Sequence, residues 1–189
     1  MSSGHEVEIK FPIADLAQVT ETLKSAGFDL VTPRTHEMNT LYDLPGRTLR
    51  ARGALLRLRQ YGEKWTLTYK DKGASGGKHK SRLEIETRVE NGPAMDQILR
   101  SLGFEPVFSY EKFRTEWTDQ QGHVVMDETP IGDFGEIEGE PEWIDRVAGN
   151  IGVDEKQYIK ASYSELFQQW KQNTGSPGPD MLFKTVKPR

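Results

Sequence analysis

The sequence contains no cysteine. Disulfide staples, thiolate metal sites and a cysteine nucleophile are excluded together, so any metal must rest on oxygen or imidazole. Long apolar runs are also missing: no stretch approaches the roughly 18 residues a membrane span needs. The opening MSSGHEVEIK lacks the basic start and apolar core of a secretory signal, which predicts a cytoplasmic protein with no membrane partner. Excess positive charge is absent too. A net charge of −4 and a pI near 5.7 give no global field for nucleic acid, and no nucleic-acid partner is expected. The four histidines, His5, His36, His79 and His123, show no metal-type spacing and read as surface or rim residues. No G-x-G-x-x-G or Walker motif is present.

What remains is a chain of 189 residues, 35% hydrophobic and 29% charged, suited to one globular domain. Periodicity predicts a strand at 6–11 and a helix at 15–26 that stops at Gly27. A short strand at 41–43 ends at Pro45-Gly46, and strands at 55–61 and 64–70 flank a Gly62-Glu63 turn. Residues 47–53 give no clear pattern. Residues 71–81 (DKGASGGKHKS) read as a loop, and a strand follows at 82–90. Its basic residues Lys72, Lys78, Lys80 and Arg82 suit a solvated connection better than a phosphate lid. A helix is predicted at 94–102, then strands at 108–118, 123–128 and 134–139, then helices at 143–151 and 164–171. The domain is placed at 1–172. Residues 173–189, with three prolines and two glycines, predict a loosely held tail. Trp65, Trp117, Trp143 and Trp170 read as packing residues between sheet and helices.

Strand residues two apart share a face, about 7 Å apart, and the strands here carry charge on one parity. Glu6, Glu8 and Lys10 oppose Val7, Ile9 and Phe11; Arg57 and Arg59 oppose Leu56 and Leu58. Thr66, Thr68 and Lys70 oppose Trp65, Leu67 and Tyr69. Arg82, Glu84, Glu86 and Arg88 oppose Leu83, Ile85 and Val89. Lys112, Arg114 and Glu116 oppose Phe113 and Trp117; Asp127 opposes Met126, while Glu136 and Glu138 flank Ile137. A solvated sheet face explains any one strand. Across these strands together the polar parity is dominated by Glu, Arg and Lys rather than Ser, Thr and Asn, which favours a charged lumen inside a curved sheet or barrel under a coat of helices. Guanidinium forks and ammonium groups suit phosphate oxygens, so Lys10, Arg57, Arg59, Lys70, Lys112 and Arg114 are candidates for holding a polyanion. Glu6, Glu8, Glu136 and Glu138 would repel that anion unless they hold Mg²⁺ or Mn²⁺.

In order along the chain, these blocks resemble the CYTH superfamily, the triphosphate tunnel metalloenzymes. The match runs through E-x-E-x-K at 6–10, L-R-L-R at 56–59, the strand-end lysine of TLTYK, R-x-E-x-E at 82–86, K-x-R at 112–114, D-E-x-P-x-G-x-F-G-E-I-E at 127–138 and SYSEL at 162–166. The resemblance implies an α+β fold built on a closed antiparallel barrel of about eight strands, with a charged lumen and helices outside. It implies Glu6, Glu8 and Glu138 as metal ligands with Glu136 and Asp127 as a second set. It also implies a clamp of Lys10, Arg57, Arg59, Lys70, Lys112 and Arg114, joined by Arg82 and Lys160. Lys70 is the candidate general base, with Tyr42 as its partner. The expected ligand is a small-molecule triphosphate with Mg²⁺ or Mn²⁺, acted on by a monomer or homodimer.

Activities on this clamp include hydrolysis of tripolyphosphate, of thiamine triphosphate or of RNA 5′-triphosphates, and cyclisation of ATP by class IV adenylyl cyclases. Leu55 stands where animal thiamine triphosphatases carry a tryptophan, which argues against a thiamine site. Hydrolysis of tripolyphosphate or a nucleoside triphosphate is the expected activity, because water needs no aligned ribose hydroxyl. Cyclisation of ATP to cyclic AMP and pyrophosphate is one alternative, and a non-catalytic polyphosphate- or nucleotide-binding module is another.

Overall fold

The computed structural model describes residues 2–72, 80–176 and 178–186, with the side chains of 2–6 and 80–82 outside that description. Eight strands carry the fold: β1 (Ser2–Ile13), β2 (Asp29–Asp43), β3 (Leu55–Tyr61), β4 (Lys64–Lys70), β5 (Lys80–Val89), β6 (Glu105–Thr118), β7 (His123–Thr129) and β8 (Gly132–Glu138). The helices are α1 (Leu16–Ser25), α2 (Thr48–Ala51), α3 (Gly92–Ser101), α4 (Pro141–Asn150) and α5 (Tyr163–Thr174).

Every pairing is antiparallel, and the order β1-β5-β4-β3-β2-β6-β7-β8 is that of a closed barrel. β1 completes the ring by dividing its length, pairing β5 through residues 2–8 and β8 through residues 8–13. The two ladders meet at Glu8, so the stagger of the sheet falls beside the E-x-E-x-K block.

Turn chemistry sets the element ends. Asp15 caps α1 by accepting from Ala17 N at 2.9 Å and Gln18 N at 3.0 Å, as an N-cap carboxylate should. Asn91 caps α3 from its side chain at 3.0 Å. Ser162 and Glu165 form a capping box at the start of α5. A close approach fixes Gly135, opposite Phe11 on β1, because a Cβ there would lie 2.1 Å from the Phe11 ring.

The apolar parity turns outward under the helices. Ile9, Phe11, Trp117, Val124, Met126 and Ile137 from β1, β6, β7 and β8 pack with Leu23 of α1 and Trp143, Ile144 and Val147 of α4. Leu99 of α3 packs with Leu58 and Tyr42. The third cluster differs because it contains inward-facing residues: Phe108, Tyr110 and Phe134 pack with Tyr163 and Phe167 of α5, Met181 and Val186. α5 thus covers the end of the barrel where β1 ends and β6 and β8 begin.

The structure corrects two expectations. β2 runs 15 residues where only 41–43 was expected; its register shifts between Leu30 and Thr32, between Thr32 and Thr35, and between Leu41 and Tyr42 break the alternation that would reveal it, with Pro33 inside the irregular stretch. Within the expected tail, residues 180–181 are also held. Met181 is fully buried and bridges β6 at Tyr110, exchanging backbone bonds with Ser109 and Glu111 at 3.0 Å each. Asp180 accepts from Ser109 N at 2.7 Å. A single bridge leaves no periodicity for sequence reading to find. Among the described residues, no helix is long and apolar enough to cross a membrane.

Candidate active site

Because charge occupies the inward parity, the lumen is a cavity of about 560 Å³ lined from all eight strands and the start of α5. Glu8, Lys10, Arg57, Arg59, Lys70, Lys112, Arg114, Glu136 and Glu138 all line it. The structure therefore brings together six cations and three acids expected from parity. Glu84, Glu86, Glu116, Tyr61, Tyr110 and His123 line it as well.

On the β1–β6–β7–β8 side, charges interlock around a fully buried carboxylate. Asp127 is 0% exposed. It accepts from Arg114 Nε and Nη2 at 2.7 Å each, from Lys112 Nζ at 2.7 Å and from the Tyr163 hydroxyl at 2.6 Å. Arg114 also reaches Glu136 at 2.5 Å, and Lys10 pairs with Glu136 at 2.8 Å. Burial opposes the charge on Glu136, but Lys10 and Arg114 outweigh it and hold the carboxyl well below its usual range. Burial likewise works against the Lys10 ammonium, and Glu136 and Glu8 reverse the balance and raise its pKa. On the adjoining β2, Glu37 is 0% exposed and lies 3.5 Å from Lys112 Nζ. Against its burial, Lys112, Arg114, Arg59 and Arg57 hold its carboxyl at about 2. Asn39 donates to it at 2.8 Å.

On the β3–β4–β5 side the arginine pairs are looser, while the lysine pair is close. Arg59 reaches Glu86 at 3.2 Å, Arg57 lies 3.8 Å from Glu86 and 3.9 Å from Glu84, and Lys70 is ion-paired with Glu84. Thr68 donates to Glu86 at 2.7 Å. Arg57 Nε is buried and has no hydrogen-bond partner among the described residues, a donor open to an anionic ligand.

The donor set fits a divalent metal in part. Glu8 and Glu138 are direct cross-strand partners, which places their Cβ atoms about 5 Å apart. Like charges so opposed are destabilising without a cation between them. No three acids or imidazoles are gathered at metal-holding distance among the described residues, so the protein offers part of a coordination shell. That suits Mg²⁺, which keeps water and takes phosphate oxygens beside one or two carboxylates.

Several expected residues fall elsewhere. Tyr42 is corrected as Lys70's partner: it sits on the outer parity, 3% exposed, and its hydroxyl donates to Asp96 on α3. Lys160 is exposed and does not line the cavity. Asp127, expected among metal-facing acids, is instead enclosed by cations. Lys70, the candidate general base, is ion-paired with Glu84. The side chains of Glu6 and Arg82 lie outside the described residues. Sequence reading missed Glu37, Asn39 and Tyr163. The first two follow the inward parity of β2, hidden by its irregular register. His123, expected at the surface or rim, pairs in register with Glu138 and lies 2.9 Å from Glu116.

Comparison with known proteins agrees with this architecture. The model of the CYTH domain matches residues 4–163. A Methanocaldococcus jannaschii protein named "Putative adenylate cyclase MJ0240" is 29% identical over 173 residues, covering 85% of this chain and 97% of its own. The structure of a Vibrio parahaemolyticus protein described as a putative adenylate cyclase superposes with a TM-score of 0.76 at 19% identity, over 88% of this chain and 99% of that one. A Hippeastrum protein described as a putative adenylyl cyclase with a dominant triphosphatase activity gives a TM-score of 0.64 at 17% identity, over 87% of this chain and 95% of that one.

Proposed function

We propose that this chain, which belongs to the CYTH domain family, is a divalent-metal-dependent enzyme that binds a triphosphate along its lumen and hydrolyses it. The observation that supports this most is that Lys10, Arg57, Arg59, Lys70, Lys112 and Arg114 converge on one cavity while Glu8 and Glu138 oppose each other across β1 and β8. Phosphoryl transfer asks for charge neutralisation and in-line positioning more than covalent catalysis. The guanidinium groups of Arg57, Arg59 and Arg114 grip phosphate oxygens in pairs, and the ammonium groups of Lys10, Lys70 and Lys112 add point charges. Glu8 and Glu138, with Glu6 on the same strand parity, are the residues that would hold Mg²⁺ or Mn²⁺, which neutralises phosphate charge and lowers the pKa of bound water. Lys70 contributes as a phosphate-binding cation, and its part in moving a proton depends on substrate separating it from Glu84.

A second reading has its own observation. Leu41, Leu55 and Tyr110 are among the lining residues, and their apolar surface suits the organic part of a nucleoside triphosphate, which favours ATP and admits cyclisation to cyclic AMP. The M. jannaschii relative's name points the same way; the Hippeastrum protein's described activity favours hydrolysis. Incubation of the protein with tripolyphosphate, ATP and thiamine triphosphate, each with Mg²⁺ and with Mn²⁺, separates these outcomes. Orthophosphate release identifies the hydrolase; cyclic AMP with pyrophosphate identifies the cyclase. Binding without turnover of any of the three overturns the enzymatic reading in favour of a binding module.

A further inference from the structure

Tyr163, the first residue of α5, touches more of the inner-lumen charge than its place in a covering helix requires. Its hydroxyl donates to Asp127 Oδ2 at 2.6 Å. Lys10 Nζ lies 4.5 Å and Lys112 Nζ 4.9 Å from its ring centroid, both within cation–π range. The residue is buried yet lines the cavity floor with Ser162 and Ser164.

Its own position is fixed twice over. Tyr110 and Phe134 pack against the ring at 5.8 and 5.9 Å between centroids. The chain just before it is tied to the barrel by Ile159 N donating to Lys10 O at 2.7 Å, and the capping box then starts the helix. Burial and Asp127 raise the phenol pKa well above its ordinary value, so the hydroxyl remains a donor.

Building on the triphosphate reading, we propose that Tyr163 is a positioning residue whose ring holds the ammonium groups of Lys10 and Lys112, and whose hydroxyl holds Asp127, in the arrangement that receives the phosphate at the inner end of the lumen. A lysine carries several rotatable bonds and loses rotamer freedom when it grips a ligand. A rigid aromatic face under two of them removes part of that cost before phosphate arrives. Packing alone needs only the ring.

The test compares wild type with Tyr163→Phe and Tyr163→Leu, using calorimetric titration of tripolyphosphate in EDTA, so that no turnover occurs, beside thermal unfolding. Phe keeps the ring and loses the bond to Asp127, and is expected to bind roughly 3- to 10-fold more weakly with a melting temperature within a few degrees of wild type. Leu loses both and is expected to bind roughly 30- to 100-fold more weakly. With Mg²⁺ present, the Phe variant should raise KM with little change in kcat. Equal binding by wild type and both folded variants overturns the role of Tyr163 while leaving the triphosphate reading intact. Wild type that fails to bind tripolyphosphate at all removes the clamp and the role of Tyr163 with it.

Discussion

The two sides of the lumen neutralise the same kind of charge in different ways. On the side formed by β2, β6, β7, β8 and β1, Asp127 and Glu37 are 0% exposed and locked among Lys112, Arg114 and their neighbours. On the β3–β4–β5 side, Glu84 and Glu86 are 16% and 28% exposed at their side chains, with Arg57 contacts of 3.8 to 3.9 Å. A buried carboxylate enclosed by cations is costly to disturb, because removing it leaves uncompensated charge. A partly exposed one competes with water and can move when a stronger anion arrives. The first side is a preformed frame that fixes cation positions. The second is where an incoming phosphate chain displaces resident acids.

The largest effect that would break this distinction is Asp127→Ala. It removes the acceptor that Lys112, Arg114 and the Tyr163 hydroxyl share, and the expected loss is roughly 3–5 kcal/mol in equilibrium urea unfolding, with tripolyphosphate binding lost as well. A variant as stable as wild type would show that the two sides do not differ in kind.

Glu37 extends the comparison to pH. Its carboxyl is held at about 2 in the folded chain against 4.5 ordinarily. A depressed folded value means stabilisation fully present above about pH 4.5 and lost as pH falls through about 2. The contribution is about 3 kcal/mol, read as the fall of the urea midpoint over that window. Glu136, also depressed, adds its own loss at low pH, so the diagnostic quantity is the difference between wild type and Glu37→Gln. The variant should show the shallower fall; parallel curves would remove Glu37 from the acid response.

How far the sequence disclosed this architecture depended on the regularity of each strand. β3 and β4 match the expected 55–61 and 64–70 at both ends, because unbroken alternation and a Gly62 turn leave one register. Their inward residues Arg57, Arg59 and Lys70 were legible for the same reason. β2 was nearly invisible, since its register shifts reset parity within one strand, and Glu37 and Asn39 were lost with it. Tyr42 failed differently: parity on 41–43 alone cannot say which face is inward until Leu41 is paired with Arg57 across β3. Asp127 was placed on the correct face, but neither spacing nor composition reports that Lys112, Arg114 and Tyr163 surround it. Residue type and parity foretold which side chains meet in the lumen. Which acid pairs with which cation is decided by cross-strand register, a tertiary property.

The smallest expected effect tests the exchangeable side most directly. Glu86 accepts from Thr68 at 2.7 Å and from Arg59 at 3.2 Å. Glutamine in its place keeps the shape and a carbonyl acceptor for Thr68 while removing one negative charge from the neighbourhood of Arg57 and Arg59. Stability should change by less than about 1 kcal/mol, as for a partly exposed ion pair. Binding of tripolyphosphate in EDTA should tighten by roughly 3- to 10-fold, since the ligand no longer has to displace a carboxylate. Added salt should weaken the variant's binding more steeply, because more uncompensated cationic charge is screened. Weaker binding would reverse the assignment: Glu86 would then act with the phosphate chain, and the looser side of the lumen would be as firmly dedicated to its ligand as the buried side.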